Sequence, residues 1–172
     1  MAGLLPRGIA GLRRRATDDR GFTLIELMVV VLILGILLAI AMPTFLGART
    51  RAQDAAAEAT LRTALTAGRV LYATSSARDP NDRYLDATIP ELQAVESSIT
   101  WVDETTSSSA PTTVSKDTTT GILYLASYSH SGKCFFMLDD PPNDTRYAIA
   151  GGVAPSACYA SNTAGLAWQS KW

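Results

Sequence analysis

A carboxylate set inside an apolar run is the placement in this sequence that most demands a chemical explanation. From Phe22 to Met42 the chain has 21 residues, and only Thr23, Glu26 and Gly35 are not plainly apolar. An acidic side chain costs about 2.5–3.5 kcal/mol at the centre of a bilayer-spanning helix and less near an end. Such a group is expected to serve a function through a cationic partner. No basic residue lies within the run, so the partner must come from elsewhere.

The other chemistry-bearing residues are sparse. Cys134 and Cys158 are the only cysteines. They are expected to pair if their part of the chain reaches an oxidising compartment, two buried free thiols being the alternative. In the chain-entropy model, closing a loop of this size is worth roughly 3–4 kcal/mol. Asp139, Asp140, Asn143 and Asp144 form an oxygen-rich cluster of the kind calcium uses, but they match no defined calcium loop. Pro141-Pro142 between them fit a solvated turn better. The single histidine, His130, lies between serines in a turn-like segment, with no nucleophile elbow to accompany it. One His and two Cys are too few for a structural zinc site or a haem motif. With Lys+Arg 15 against Asp+Glu 16 there is no broad basic face, and DNA binding is not indicated. The residues point away from an enzyme, and no cofactor or metal is expected.

The elements that carry these residues follow from the patterning. As a helix, 21 residues measure about 32 Å, enough to cross a hydrocarbon core of about 30 Å. Residues 1–21 hold five arginines against two aspartates, a net of +3 on the N-terminal side. This bias predicts that the N-terminal side stays cytoplasmic and the C-terminal part lies outside. A cleaved secretory signal ending near Ala39-Ile40-Ala41 is the competing reading. Against it, the apolar run exceeds the usual 7–15 residues and contains Glu26.

The stretch Gly21-Phe22-Thr23-Leu24-Ile25-Glu26-Leu27-Met28-Val29-Val30, continuing through Gly35 to Ala41-Met42-Pro43, resembles the N-terminal signature of type IV pilins. The resemblance covers about 25 residues and is specific: a Gly, then a Phe, then a Glu five positions after the Gly, within a long apolar run. It implies cleavage between Gly21 and Phe22 by a prepilin peptidase, N-methylation of Phe22, and retention of the apolar helix. It also supplies the missing partner, because cleavage creates an α-amino group on Phe22, mostly cationic at a reference pKa near 8. In a filament, Glu26 of one subunit could pair with that amine on its neighbour. At about 4 Å and an effective dielectric of 20, the attraction is about 4 kcal/mol before desolvation is subtracted.

Beyond Pro43 the helical pattern resumes. Ala57, Leu61, Ala64, Leu65, Gly68, Leu71 and Tyr72 recur at spacings of three and four, with the charges mostly off that stripe and Glu58–Arg62 as an i,i+4 pair. One helix from about Thr23 to Thr74 is predicted, about 78 Å long, apolar all round in its first half and amphipathic in its second. Gly35 and Pro43 are candidate flex points; close helix packing is the other reading of Gly35. Residues 74–82 read as a polar loop, 90–96 as a short helix, and Thr105 to Thr113 as an exposed Ser/Thr-rich loop or a site of sugar attachment. Strands are expected at Ile122–Tyr128, Cys134–Leu138 and Arg146–Ala150, the first two joined through Ser129-His130-Ser131-Gly132. Trp168, Trp172 and Tyr159 are assigned to the head core or a subunit interface.

The predicted fold is therefore α+β: a long N-terminal helix packed on a small antiparallel sheet. The expected divisions are a cleaved basic leader at 1–21, the helix at 22–74 and a globular head at 75–172. The resemblance implies a structural subunit that polymerises with further copies, with a prepilin peptidase, pilus assembly machinery and the lipid bilayer as partners. It implies a precursor in the cytoplasmic membrane and an assembled pilus at the cell surface. A disulfide-bounded C-terminal region is also part of what the resemblance implies. The nearest alternative is a pseudopilin of a type II secretion or DNA-uptake system. A secreted or membrane-tethered binding domain is the alternative from another class.

Overall fold

The computed structural model describes residues 21–74, 84, 87–141 and 143–172. Residues 1–20 of the basic leader and the expected polar loop, apart from Thr74, lie outside the described residues. By internal packing the chain divides into two units, one ending at Met42 and one running from Pro43 to Trp172. Helix α1, Leu24–Thr74, contributes to both. Up to Met42 it is exposed on every side among the described residues.

In the second unit α1 is amphipathic, as the spacing predicts. Ala57, Leu61, Ala64, Leu65, Ala67 and Gly68 are its buried residues. Ala67 adds to the expected stripe, and Tyr72 turns its ring to Tyr84, centroids 5.3 Å apart. Six threonines interrupt the helix without breaking it, and five of them are satisfied along it. The Thr50, Thr60, Thr63, Thr66 and Thr74 hydroxyls each donate to the carbonyl four residues back, which satisfies them inside the helix. At Gly68 the helix lies close against the sheet: a Cβ there would meet Leu123 Cδ2 at 2.5 Å. Leu123 is fully buried and has nowhere to move.

Helix α2, Ile89–Val95, starts with Pro90 in its first turn and with the Glu91 carboxylate accepting from the Thr88 N–H. Five strands follow: β1 Thr100–Val102, β2 Thr113–Asp117, β3 Leu123–Ser129, β4 Lys133–Asp139 and β5 Thr145–Gly151. They lie side by side in chain order. The three longest fall where the apolar runs predict them, within a residue or two at each end. The sheet is not wholly antiparallel, because β1 and β2 pair in parallel, Trp101 opposite Val114. The intervening loop carries the chain back to the start of β1 before β2 begins. Neither strand was anticipated, β1 being three residues long and β2 mostly polar.

The sheet is covered on both faces. Leu123, Leu125, Phe135 and Met137 pack with Val114, Trp101 and the buried stripe of α1. On the opposite face Ala126, Phe136 and Ala148 pack with Cys158, Ala160, Leu166 and Trp168 from the C-terminal segment. That double burial explains why β3 and β4 read as apolar runs rather than as strict alternation. Cys134 and Cys158 are joined, with Cα atoms 5.5 Å apart, and tie the C-terminal cover to β4. Trp172 stacks edge-on to Phe135 at 5.2 Å, and Trp168 to Tyr124 at 6.2 Å.

The Ser/Thr-rich loop also departs from the expectation of a solvated segment. Thr105, Thr106, Ser109 and Thr112 are exposed, but Ser108 is fully buried. Its N–H donates to the Cys158 carbonyl at 2.8 Å, and its hydroxyl donates to the Thr113 carbonyl and accepts from the Tyr128 N–H. The buried Ser115 works likewise, donating to the Asp103 carbonyl and accepting from the Ala160 N–H. Composition marks both serines as surface residues. In the fold they stitch the loop and the C-terminal cover to the sheet.

Replacing both Cys134 and Cys158 with serine is expected to lower head stability by about 3–4 kcal/mol. Denaturant unfolding of the full chain in detergent measures this. The C-terminal amides from Cys158 onward should lose hydrogen-exchange protection before those of β3 and β4.

Candidate functional site

The features that could act on something outside the chain lie at the start of α1. Gly21, Phe22 and Thr23 precede the helix, and Thr23 Oγ1 accepts the Glu26 N–H at 3.2 Å. Thr23 therefore serves as the N-terminal cap of α1, with Glu26 three residues on in the first turn. The T-x-x-E spacing from Thr23 to Glu26 is itself a sequence signal for this cap. A carboxylate there also faces the positive end of the helix dipole. Glu26 is exposed, like everything around it. Phe22 is 79% exposed, and no large apolar side chain from Leu24 to Leu46 falls below 46%. Gly35 lies within this helix, with open space where its Cβ would be, and Pro43 is the proline inside α1.

Two polar networks fix the second half of α1 to the head. Asp54 holds the β3–β4 turn. It accepts from the Lys133 ammonium at 2.7 Å, from the Ser129 hydroxyl at 2.8 Å, and from the Ser131 hydroxyl. Burial raises its pKa, but those three bonds outweigh burial and leave it below the ordinary carboxylate value. At the other end of the strands, Asp139 accepts from the Arg69 guanidinium at 2.6 Å, from the Tyr84 hydroxyl and from the Thr145 hydroxyl at 2.8 Å. Burial again pushes the carboxyl up, and the hydrogen bonds from Arg69, Tyr84 and Thr145 more than reverse it. Tyr84 is raised, first by its own burial and then by Asp139, so it stays a protonated donor.

These contacts redistribute the sequence candidates. Asp139 leaves the expected oxygen-rich cluster to bind Arg69, while Asp140 accepts from Asn143 at 2.8 Å. Among the described residues no three His, Cys, Asp or Glu side chains converge as a metal site. His130 is exposed in the hairpin turn, with its ring 6.5 Å from that of Tyr128. Glu58 and Arg62 form the expected i,i+4 pair at 3.3 Å. Sequence reasoning missed Asp54, Arg69 and Tyr84 as anchors, because their partners lie 55 to 79 residues away.

A helix exposed and apolar all round, capped by Thr23 and carrying one carboxylate in its first turn, continues into a helix-and-sheet head. This defines the class: an α+β chain with a helix long and apolar enough to cross a membrane. Residues 17–42 match the family model described as the prokaryotic N-terminal methylation motif. The chain is also 43% identical over 68 residues to the type IV major pilin protein PilA of Myxococcus xanthus (strain DK1622). That alignment covers 40% of this chain and 28% of the relative, so the chain spans well under half of the curated protein it matches. No solved structure matches. Over residues 17–42 the chain thus carries the methylation motif, and over 68 residues it is similar to a type IV pilin.

Asp139 makes the head acid-sensitive. Its folded pKa is depressed, so its contribution is complete above the unfolded value and disappears as pH falls below about 4. Asp139→Asn is expected to cost about 2 kcal/mol at neutral pH and to flatten the acid limb of stability. Thermal unfolding of both proteins from pH 7 down to pH 3 checks this, with the two curves converging at the acid end.

Proposed function

We propose that this chain is a structural subunit of a type IV pilus-like filament, made as a membrane-held precursor. In this reading a prepilin peptidase cuts between Gly21 and Phe22, and the new Phe22 terminus is N-methylated. The helix from Phe22 to about Ala41 first lies in the cytoplasmic membrane with the head outside. It then passes into a filament core built from the same segment of other copies, with the assembly machinery acting in the membrane. Both surroundings are apolar, so the helix exchanges lipid for helix without exposing its surface to water. Contacts that do not close into a ring give an open filament.

The observation that carries this reading is the exposure of α1 up to Leu46 in a chain bearing the methylation motif. Such a surface is covered in water only by lipid or by further protein. Glu26 gives the packing a register, since an apolar helix can slide along its neighbours but an ion pair with the Phe22 amine of an adjacent copy fixes its height. Gly35 and Pro43 are the points where the helix would loosen on assembly. The Cys134–Cys158 bond would keep the exported head intact outside the cell.

Mass spectrometry of the mature protein is expected to find a chain that begins at a methylated Phe22. A chain beginning at Met42 would overturn the proposal. Glu26→Ala is expected to leave insertion and cleavage largely intact while reducing surface filaments about ten-fold or more, the factor that about 1.4 kcal/mol per contact supplies. Unchanged filament yield, counted by electron microscopy, would remove the pairing role of Glu26.

A further inference from the structure

The four arginines of α1 divide into two kinds. Arg62 is paired with Glu58 at 3.3 Å and Arg69 with Asp139 at 2.6 Å, both within the head. Arg49 and Arg51 are exposed and meet no acid among the described residues; Arg51 uses one N–H on the Gly47 carbonyl, at 3.3 Å. Asp54, the nearest acid along the helix, is engaged by Lys133, Ser129 and Ser131. The two unpaired cations stand directly beside the apolar surface. Phe45 and Leu46 are 67% and 54% exposed, and Arg49 and Arg51 follow Leu46 by three and five residues.

We propose that Arg49 and Arg51 bind the phosphates of anionic phospholipids in the leaflet facing the head, and so set the depth at which the chain sits. The inference rests on the membrane-anchored reading above. Three and five residues of helix rise about 4.5 and 7.5 Å, and the headgroup layer on each side of the hydrocarbon core is about 5–8 Å thick. Glu26 to Leu46 rise about 30 Å, the thickness of the hydrocarbon core, so with Glu26 at the cytoplasmic edge the span extends past Ala41 to Leu46 and both guanidinium groups lie at phosphate level. Two residues apart on a helix they point to nearly opposite sides, so they reach separate lipids. Their aliphatic stems can lie along the apolar surface beneath while the charged ends stay at the interface. The guanidinium group matches a phosphate with two parallel hydrogen bonds and sheds water more readily than an ammonium. An anionic headgroup is preferred over a zwitterionic one because it carries no cation of its own to compete.

Electron spin resonance with spin-labelled phosphatidylglycerol and phosphatidylcholine, on the full chain in mixed vesicles, tests this. Phosphatidylglycerol should be retained more strongly, by up to about five-fold for each arginine. Arg49→Gln/Arg51→Gln should lower that preference, while Arg62→Gln should leave it unchanged; glutamine keeps the helix propensity of the site. Persistence of the preference in millimolar inorganic phosphate supports a lipid ligand, and its loss there would mean a free-anion site and overturn the proposal. An unchanged preference in the double variant also overturns it. So does a defect confined to filament yield, which would assign the arginines to a subunit contact. Alkaline extraction separates the two levels: a chain washed off the vesicles refutes the membrane-anchored reading itself, and a chain that stays inserted without lipid preference refutes only this inference.

Discussion

The constraint on which everything else depends is that one helix has two solvents. From Leu24 to Leu46 the large apolar side chains of α1 stay exposed among the described residues, while from Ala57 to Gly68 the same element supplies the buried layer of the head. Water cannot be the equilibrium medium of the first part, since apolar area leaves water at roughly 25 cal/mol per Å². The second part cannot leave the head without exposing Leu123, Leu125, Phe135 and Met137. The helix is thus long and apolar enough in its first part to cross a membrane, and in its second part a wall of the head core.

Much of this was legible in the sequence because the relevant signals are local. A run of apolar residues, a three-four spacing, an aromatic strand and a Gly-Phe-…-Glu motif can each be read within about twenty positions. β1 and β2 escaped notice for the converse reason. Thr100–Val102 is too short for alternation to register, and Thr113–Asp117 is mostly polar, its two buried residues being Val114 and Ser115. Ser108 and Ser115 misled composition in the same way. A buried hydroxyl is favourable only when both its donor and its acceptor capacity are used, and that is a property of the assembled fold. The anchors Asp54 and Asp139 are ordinary acids until the hairpin and Arg69 are brought to them.

The C-terminal segment shows how a small domain closes a face with little regular structure. It contributes one short 3₁₀ turn, Pro155–Ala157, and a single bridge between Tyr147 and Gln169. Its hold on the sheet comes from the disulfide, from the two buried serines and from Cys158, Ala160, Leu166 and Trp168 in the core. The covalent tie adds to these contacts by closing the loop from Cys134 to Cys158 in the unfolded chain as well.

Asp54 and Arg69 stand fifteen residues apart on α1, about 22 Å of helical rise, and grip opposite ends of β4, at Lys133 and Asp139. A pull directed along the helix therefore strains both grips at once, in the manner of a lap joint rather than a strip being peeled. The head would ride with the rod under tension until the two fail together.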